Sequence, residues 1–267
     1  MSFLGLLREA RETLTPIVRE NGAFLKEGRL SPSEFLQAGD QLVALSPIWA
    51  WCEAAKPSIS RSFLPPNKQY LVARNVVSER RVKDMERERD DEEVEDFCFP
   101  TFVAHADPSY RDDEKDTVLI FGEADEKDNS GGEDVGALSD DSERRYFTLI
   151  ISYDRYYRTP RVFFNGYDRN GCALPREFLM QDVFSENASR TVTTERFQGE
   201  CMASIHPCQH ANAMVKITQQ CVEHGLTPSV EHYLFIFLKL LHSVLPSLEI
   251  PDLMEVVVQA KRGHASP

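Results

Sequence analysis

One short run, Ala203-Ser204-Ile205-His206-Pro207-Cys208-Gln209-His210, gathers the residue types that nucleophilic chemistry needs. Cys208 falls where a strand-to-helix connection meets a helix start. The partial positive charge and unpaired backbone N–H groups of a helix N-terminus favour a thiolate there. His206 and His210 flank it, placed to lower its pKa further or to move a proton. By chemistry alone a structural cysteine beside two histidines fits the same run. A zinc set of Cys201, His206, Cys208 and His210 has no Cys-x-x-Cys pair and matches no common zinc spacing, so neither metal nor other cofactor is expected. The chain has no Gly-rich phosphate loop, serine nucleophile elbow, His-Glu-x-x-His motif or papain-type cysteine signature.

The elements that must position this run can be read around it. Behind it, Met214, Val215, Ile217, Cys221 and Val222 give a helix from Gln209 to His224, with Gly225 as its stop. Thr227 and Pro228 open a further helix, apolar to Leu245. Its run from Tyr233, broken by Lys239 and His242, is shorter than the roughly 18 residues of a spanning segment. Ahead of it, Tyr146–Tyr153 and Arg161–Phe164 are β-branched and aromatic runs, followed by a turn at Gly166–Gly171 and a short strand at Thr191–Thr194. They predict an antiparallel meander. Phe63–Val77 is also expected to be extended. Ser31, Pro32 and Glu34 spell a capping box for a helix running towards Leu45. Residues 2–20 carry Phe3, Leu7, Ala10, Leu14 and Ile17 at helical spacing, widened by Leu4, Leu6 and Val18, with Arg8, Glu9, Arg11 and Glu12 opposite. Pro16 kinks or ends that helix. The sum is an α+β core.

Charge is distributed unevenly. The 267 residues hold 30 Lys and Arg against 43 Asp and Glu, a net of −13. Between Asp84 and Arg145 there are 23 acidic and 7 basic residues, so this stretch carries more than the whole excess and the remainder is slightly basic. Such acidity argues against a nucleic-acid binder and against simple charge attraction to an anionic membrane. The stretch is too polar to offset its ordering entropy and is expected to be a flexible insertion. Two apolar islands interrupt it, Phe97–Val103 and Thr117–Phe121, and such islands serve as partner-docking motifs or as edge strands of the core. The second, Val118, Leu119, Ile120 and Phe121, is the expected docking site. No secretory signal is visible, and the six scattered cysteines are expected to be reduced thiols of a cytosolic protein.

A set of motifs across the chain then resembles a known family. They are Phe35 with Ala38-Gly39-Asp40 and Leu42-Val43, Pro47 with Trp49 and Trp51, and Phe63-Leu64-Pro65 with Lys68-Gln69-Tyr70-Leu71. Next come Tyr153-Asp154-Arg155-Tyr156-Tyr157, Thr159-Pro160-Arg161, Gly166-Tyr167-Asp168 and Thr191-Val192-Thr193-Thr194-Glu195. His206-Pro207-Cys208 with His210-Ala211, and Tyr233–Lys239, complete the set. Together they resemble the autophagy conjugating enzymes, which transfer a small ubiquitin-like modifier to phosphatidylethanolamine. The resemblance implies a ubiquitin-conjugating-type core, with its first part at 21–83, the acidic insertion at 84–145, and its second part at 146–267. Residues 1–20 would then be a membrane-associating helix that buries Phe3, Leu4, Leu6, Leu7 and Leu14. The resemblance also implies that Cys208 carries the modifier as a thioester, received from an activating enzyme. The Asn common in ubiquitin-conjugating enzymes is absent, since the position after His-Pro is the cysteine itself; Thr191 would help arrange the site, or be a plain β-branched strand residue. His206 would brace the loop, and His210 would be the better proton carrier. Further partners implied are a ligase-like complex and a curved membrane containing phosphatidylethanolamine, met transiently from the cytoplasm. An inactive scaffold of the same fold, or a cysteine hydrolase acting on the conjugate, are the alternative functions. The family's aromatic-x-x-aliphatic docking motif has no clean copy in the acidic stretch, and the chain after Glu249 departs from the family's usual ending.

Overall fold

A computed structural model describes residues 14–18, 22–78, 82, 144–175, 178–179, 192–223 and 225–249. Phe3, Leu4, Leu6 and Leu7, the Val118–Phe121 island and Thr191 lie outside the described residues. Leu14, at the end of the expected N-terminal helix, is helical and 81% exposed, and the chain leaves the helix before Pro16.

Six strands form one antiparallel sheet: β1 Trp49–Cys52, β2 Tyr70–Ser78, β3 Arg145–Asp154, β4 Thr159–Tyr167, β5 Val192–Phe197 and β6 Glu200–Ile205, in the order β1-β2-β3-β4-β6-β5. Among the described residues, the helices of four or more residues are α1 Phe24–Glu27, α2 Pro32–Leu45, α3 His210–Glu223 and α4 Tyr233–Val244. Side chains alternate across a strand, and both faces of this sheet are apolar. Phe147, Leu149, Ile151 and Tyr153 of β3 enter the helix-covered core, whereas Ile150 joins Val72, Phe163, Phe197 and Met202 on the other face. There Phe163 stacks on Phe197 at 4.4 Å between ring centroids.

The capping box at Ser31 forms as expected: its Oγ accepts from the Glu34 N–H, and Glu34 accepts in return from the Ser31 N–H at 2.7 Å. Three expectations need correction. Extended structure begins at Tyr70, because residues 63–69 form turns pinned by the buried Gln69, whose amide donates to the carbonyls of Leu64 and Pro65. β1 and β6 are strands where no strand was expected. α4 is opened by Ser229, which pairs with His232 across a short 3-10 turn, and not by Thr227. Tyr233 to Leu238 are all buried, as are Leu240, Leu241 and Val244, so this apolar run is a central core helix. Among the described residues, no helix is long and apolar enough to cross a membrane.

The acidic stretch enters and leaves the fold at one rung. Ser78 ends β2, Arg145 begins β3, and the two are register partners. A long segment can therefore leave the sheet between two paired strands without breaking their ladder, and the closure cost of such a loop grows only slowly with length.

Candidate active site

β6 delivers the chain to a 3-10 turn, Pro207–Gln209, which runs directly into α3. Pro207 stands at the first helical position, where its missing N–H is not needed. His206 is the cap residue: its Nδ1 accepts the Cys208 N–H at 3.3 Å. That bond leaves the neutral ring's proton on Nε2. Cys208 itself is half-buried, within the turn.

His210 opens α3 two residues later and behaves differently. It is 2% exposed, its Nδ1 lies 2.9 Å from the Pro160 carbonyl, and its ring meets Phe237 of α4 edge-on. A carbonyl only accepts, so Nδ1 carries the proton here. Burial holds the imidazole down at about 4, aided by Arg161 and His206, while the Pro160 bond opposes the shift. The expectation of a proton-carrying His210 thus meets a neutral ring shut off from solvent, because α4 packs over the start of α3.

The β3–β4 turn forms the neighbouring wall. Asp154 Oδ1 accepts the N–H groups of Tyr156 and Tyr157 at 3.0 and 2.9 Å, and Oδ2 takes Arg161 Nη1 at 3.2 Å. Arg161 also pairs with Glu195 of β5 and donates through Nε to Ser204 of β6 at 3.3 Å. The Tyr157 ring lies 5.5 Å from that of His206, nearly perpendicular to it. On the other side, Gly28 closes α1 at φ 63°, and a Cβ there would stand 2.0 Å from the Ala211 carbonyl oxygen. Only glycine allows that approach. Tyr233 and Tyr153 fix the same segment, donating to the carbonyls of Gly28 and Leu30, both at 2.7 Å. Burial raises both phenols, so each hydroxyl remains a donor.

The structure therefore joins Cys208 and His206 in one turn, whereas the His210 side chain faces the core. Cys201 and Cys221 lie apart from the turn, in β6 and in α3. Among the described residues, no three His, Cys, Asp or Glu side chains converge as a metal site. Residue-type reasoning did not single out Asp154, Tyr157 or Arg161. The available signal was the spacing Asp154 to Arg161 around two tyrosines, which appeared only among the family motifs.

The pattern of the family described as "Autophagocytosis associated protein, active-site domain" matches residues 34–252. Autophagy-related protein 3 of Arabidopsis thaliana is 34% identical over 286 aligned positions, covering 89% of this chain and 91% of that protein. The Schizosaccharomyces pombe protein of the same name is 35% identical over 267, covering 90% and 94%. That of Saccharomyces cerevisiae (strain ATCC 204508 / S288c) is 28% identical over 300, covering 92% and 96%. The chain belongs to this family. It is a conjugating enzyme of the Autophagy-related protein 3 type, a transferase of the autophagy ubiquitin-like modifier to phosphatidylethanolamine, and it works with the modifier and its activating enzyme. The six-stranded sheet with its helices is the α+β core of such an enzyme. The family pattern spans residues 34–252 and so takes in the Pro207–Gln209 turn, both histidines and the β3–β4 wall.

Proposed function

We propose that Cys208 is the residue that carries the modifier. Its thiolate displaces the activating enzyme's thiol from the modifier's C-terminal glycine, leaving a thioester on Sγ. The neutral amine of phosphatidylethanolamine then attacks the thioester carbonyl. The new C–N bond replaces the C–S bond, Cys208 departs as a thiolate, and the ammonium proton passes to solvent or a nearby base. The observation that carries this reading is the place of Cys208: a half-buried thiol in the first turn of a helix, its N–H already held by His206. Among the five described cysteines, all free, Cys208 alone lies in a helix's opening turn. His206 braces that turn, and His210 supports it from within the core. Thr191, one residue before β5, helps arrange the transfer. Mixing the protein with modifier, activating enzyme and ATP tests the reading. A reductant-sensitive adduct on a non-reducing gel is expected from the protein and not from Cys208→Ala.

The same reading extends to the flanking segments. The acidic stretch 84–145 is a flexible insertion between the two halves of the core, 21–83 and 146–267, and it docks the activating enzyme through Val118, Leu119, Ile120 and Phe121. The segment 1–20 brings the cytoplasmic enzyme transiently to curved precursor membrane through Phe3, Leu4, Leu6, Leu7 and Leu14. A ligase-like complex of the second autophagy conjugation system completes the partners. Support for the membrane segment comes from its amphipathic spacing and from the exposed Leu14.

A further inference from the structure

The β3–β4 turn is an unusual piece of chain to find beside a nucleophile. It spans four residues between the paired Asp154 and Thr159, and its last residue, Arg158, adopts φ 58°. A non-glycine side chain in that region is disfavoured. The turn holds because its backbone is tied from both ends. The Arg158 N–H donates to the Asp154 carbonyl at 2.8 Å, and the Leu30 N–H to the Arg158 carbonyl at 2.8 Å. Asp154 Oδ1 takes the two N–H groups in between. The Asp154 side chain is 5% exposed, so this carboxylate is committed to the turn and to Arg161.

The turn touches the catalytic segment at two points, one on each histidine. Tyr157 sets its ring against His206, which holds the Cys208 N–H. Pro160 offers its carbonyl to His210. The first contact comes from a residue whose N–H Asp154 holds; the second comes from β4, where Pro160 pairs with Tyr153 next to the Arg161 that Asp154 binds. We infer that Asp154 is a positioning residue for the transfer step: by capping the β3–β4 turn it holds Tyr157 against His206 and so sets the orientation of the Cys208 turn. In loading, the docked activating enzyme orients the thioester that Cys208 attacks, whereas in transfer this chain alone must hold the thioester in the orientation the amine needs. Misplacement of about 1 Å can cost a reaction of this kind a hundredfold.

This inference rests on Cys208 as the thioester carrier, and the test separates the two. Full-length protein is loaded with modifier, further loading is stopped, and discharge is followed with ethanolamine and with phosphatidylethanolamine vesicles. Asp154→Ala is expected to load within twofold of wild type and to discharge to both acceptors about tenfold more slowly. Asp154→Asn keeps an oxygen for the two N–H groups but loses the charge facing Arg161, and it is expected to recover discharge to within about threefold. Combining Asp154→Ala with His206→Ala should be no slower than the slower single variant, since residues acting through one contact are not additive. Should Asp154→Ala fail to fold, Tyr157→Ala is expected to show the same discharge defect with normal loading. Wild-type discharge in Asp154→Ala or Tyr157→Ala, no recovery with Asn, or additive losses in the double variant would overturn the inference alone. A wild-type protein that forms no adduct at Cys208 would overturn the thioester reading, and this inference with it.

Discussion

The two histidines beside Cys208 are held in opposite tautomers. His206 accepts at Nδ1 and His210 donates from it, the first to brace the half-buried turn and the second to anchor it in the core. The burial of His210 has a consequence for stability. Its folded pKa, about 4, lies below the ordinary 6.5, so the unfolded chain takes up a proton first as pH falls. Stability is unaffected above about pH 7, is lost between 6.5 and 4, and changes no further from this source below that. The loss is about 3 kcal/mol for a shift of this size. His232, also lowered by burial, adds loss in the same direction. Denaturant titrations at pH 7 and pH 4.5 should therefore show a smaller fall for His210→Gln than for wild type; equal falls would contradict the burial account. None of this was legible in the run His206–His210, whose residue types suggest two equivalent partners. Which histidine is buried depends on Phe237, twenty-seven positions away on another helix.

At the scale of elements, local signals were read well and non-local ones poorly. Ser31, Pro32 and Glu34 spell a helix start within four residues, and the cap forms as spelled. β3 announces itself through a run rich in β-branched and aromatic residues that serves both faces of the sheet. β1, Trp49-Ala50-Trp51-Cys52, has two strand-favouring tryptophans but is only four residues long, and β6, Glu200-Cys201-Met202-Ala203-Ser204-Ile205, has a composition that does not suggest a strand. They are strands because β2 supplies a partner for β1 at the sheet edge, and β4 and β5 flank β6 on either side. The Thr117–Phe121 island poses a similar choice between core strand and docking motif. The sheet already pairs β2 directly with β3 around the insertion, so the described ladder leaves no gap between them for another strand. Replacing Val118, Leu119 and Ile120 together with Asp is accordingly expected to slow thioester loading several-fold without changing the thermal midpoint. Unchanged loading would dispose of the docking role, and a lowered midpoint would mark the island as core.

For the whole molecule, charge and substrate pull in opposite directions. The lipid amine lies in a membrane, while a net charge of −13 opposes approach to an anionic surface. On the proposed reading an apolar anchor supplies the attraction, and residues 1–20 hold the spacing for it. A large apolar side chain contributes roughly 1.5–3 kcal/mol when fully buried, an upper figure for a helix that buries one face. Leu7→Asp is expected to load modifier at Cys208 normally, to discharge normally to free ethanolamine, and to lose most transfer to small vesicles. Transfer to vesicles at the wild-type rate would make the segment a part of the fold only.

The expectations for loading and transfer depend on where the modifier is held. The direct measurement replaces the sulfur by oxygen. With modifier, activating enzyme and ATP, Cys208→Ser should accumulate an adduct that survives thiol reductant and yields to hydroxide, as an oxyester does. Under the same conditions Cys201→Ser and Cys221→Ser should give the reductant-sensitive adduct of the wild type, and Cys208→Ala none. A reductant-sensitive adduct that persists in Cys208→Ser or Cys208→Ala would contradict the account at its centre.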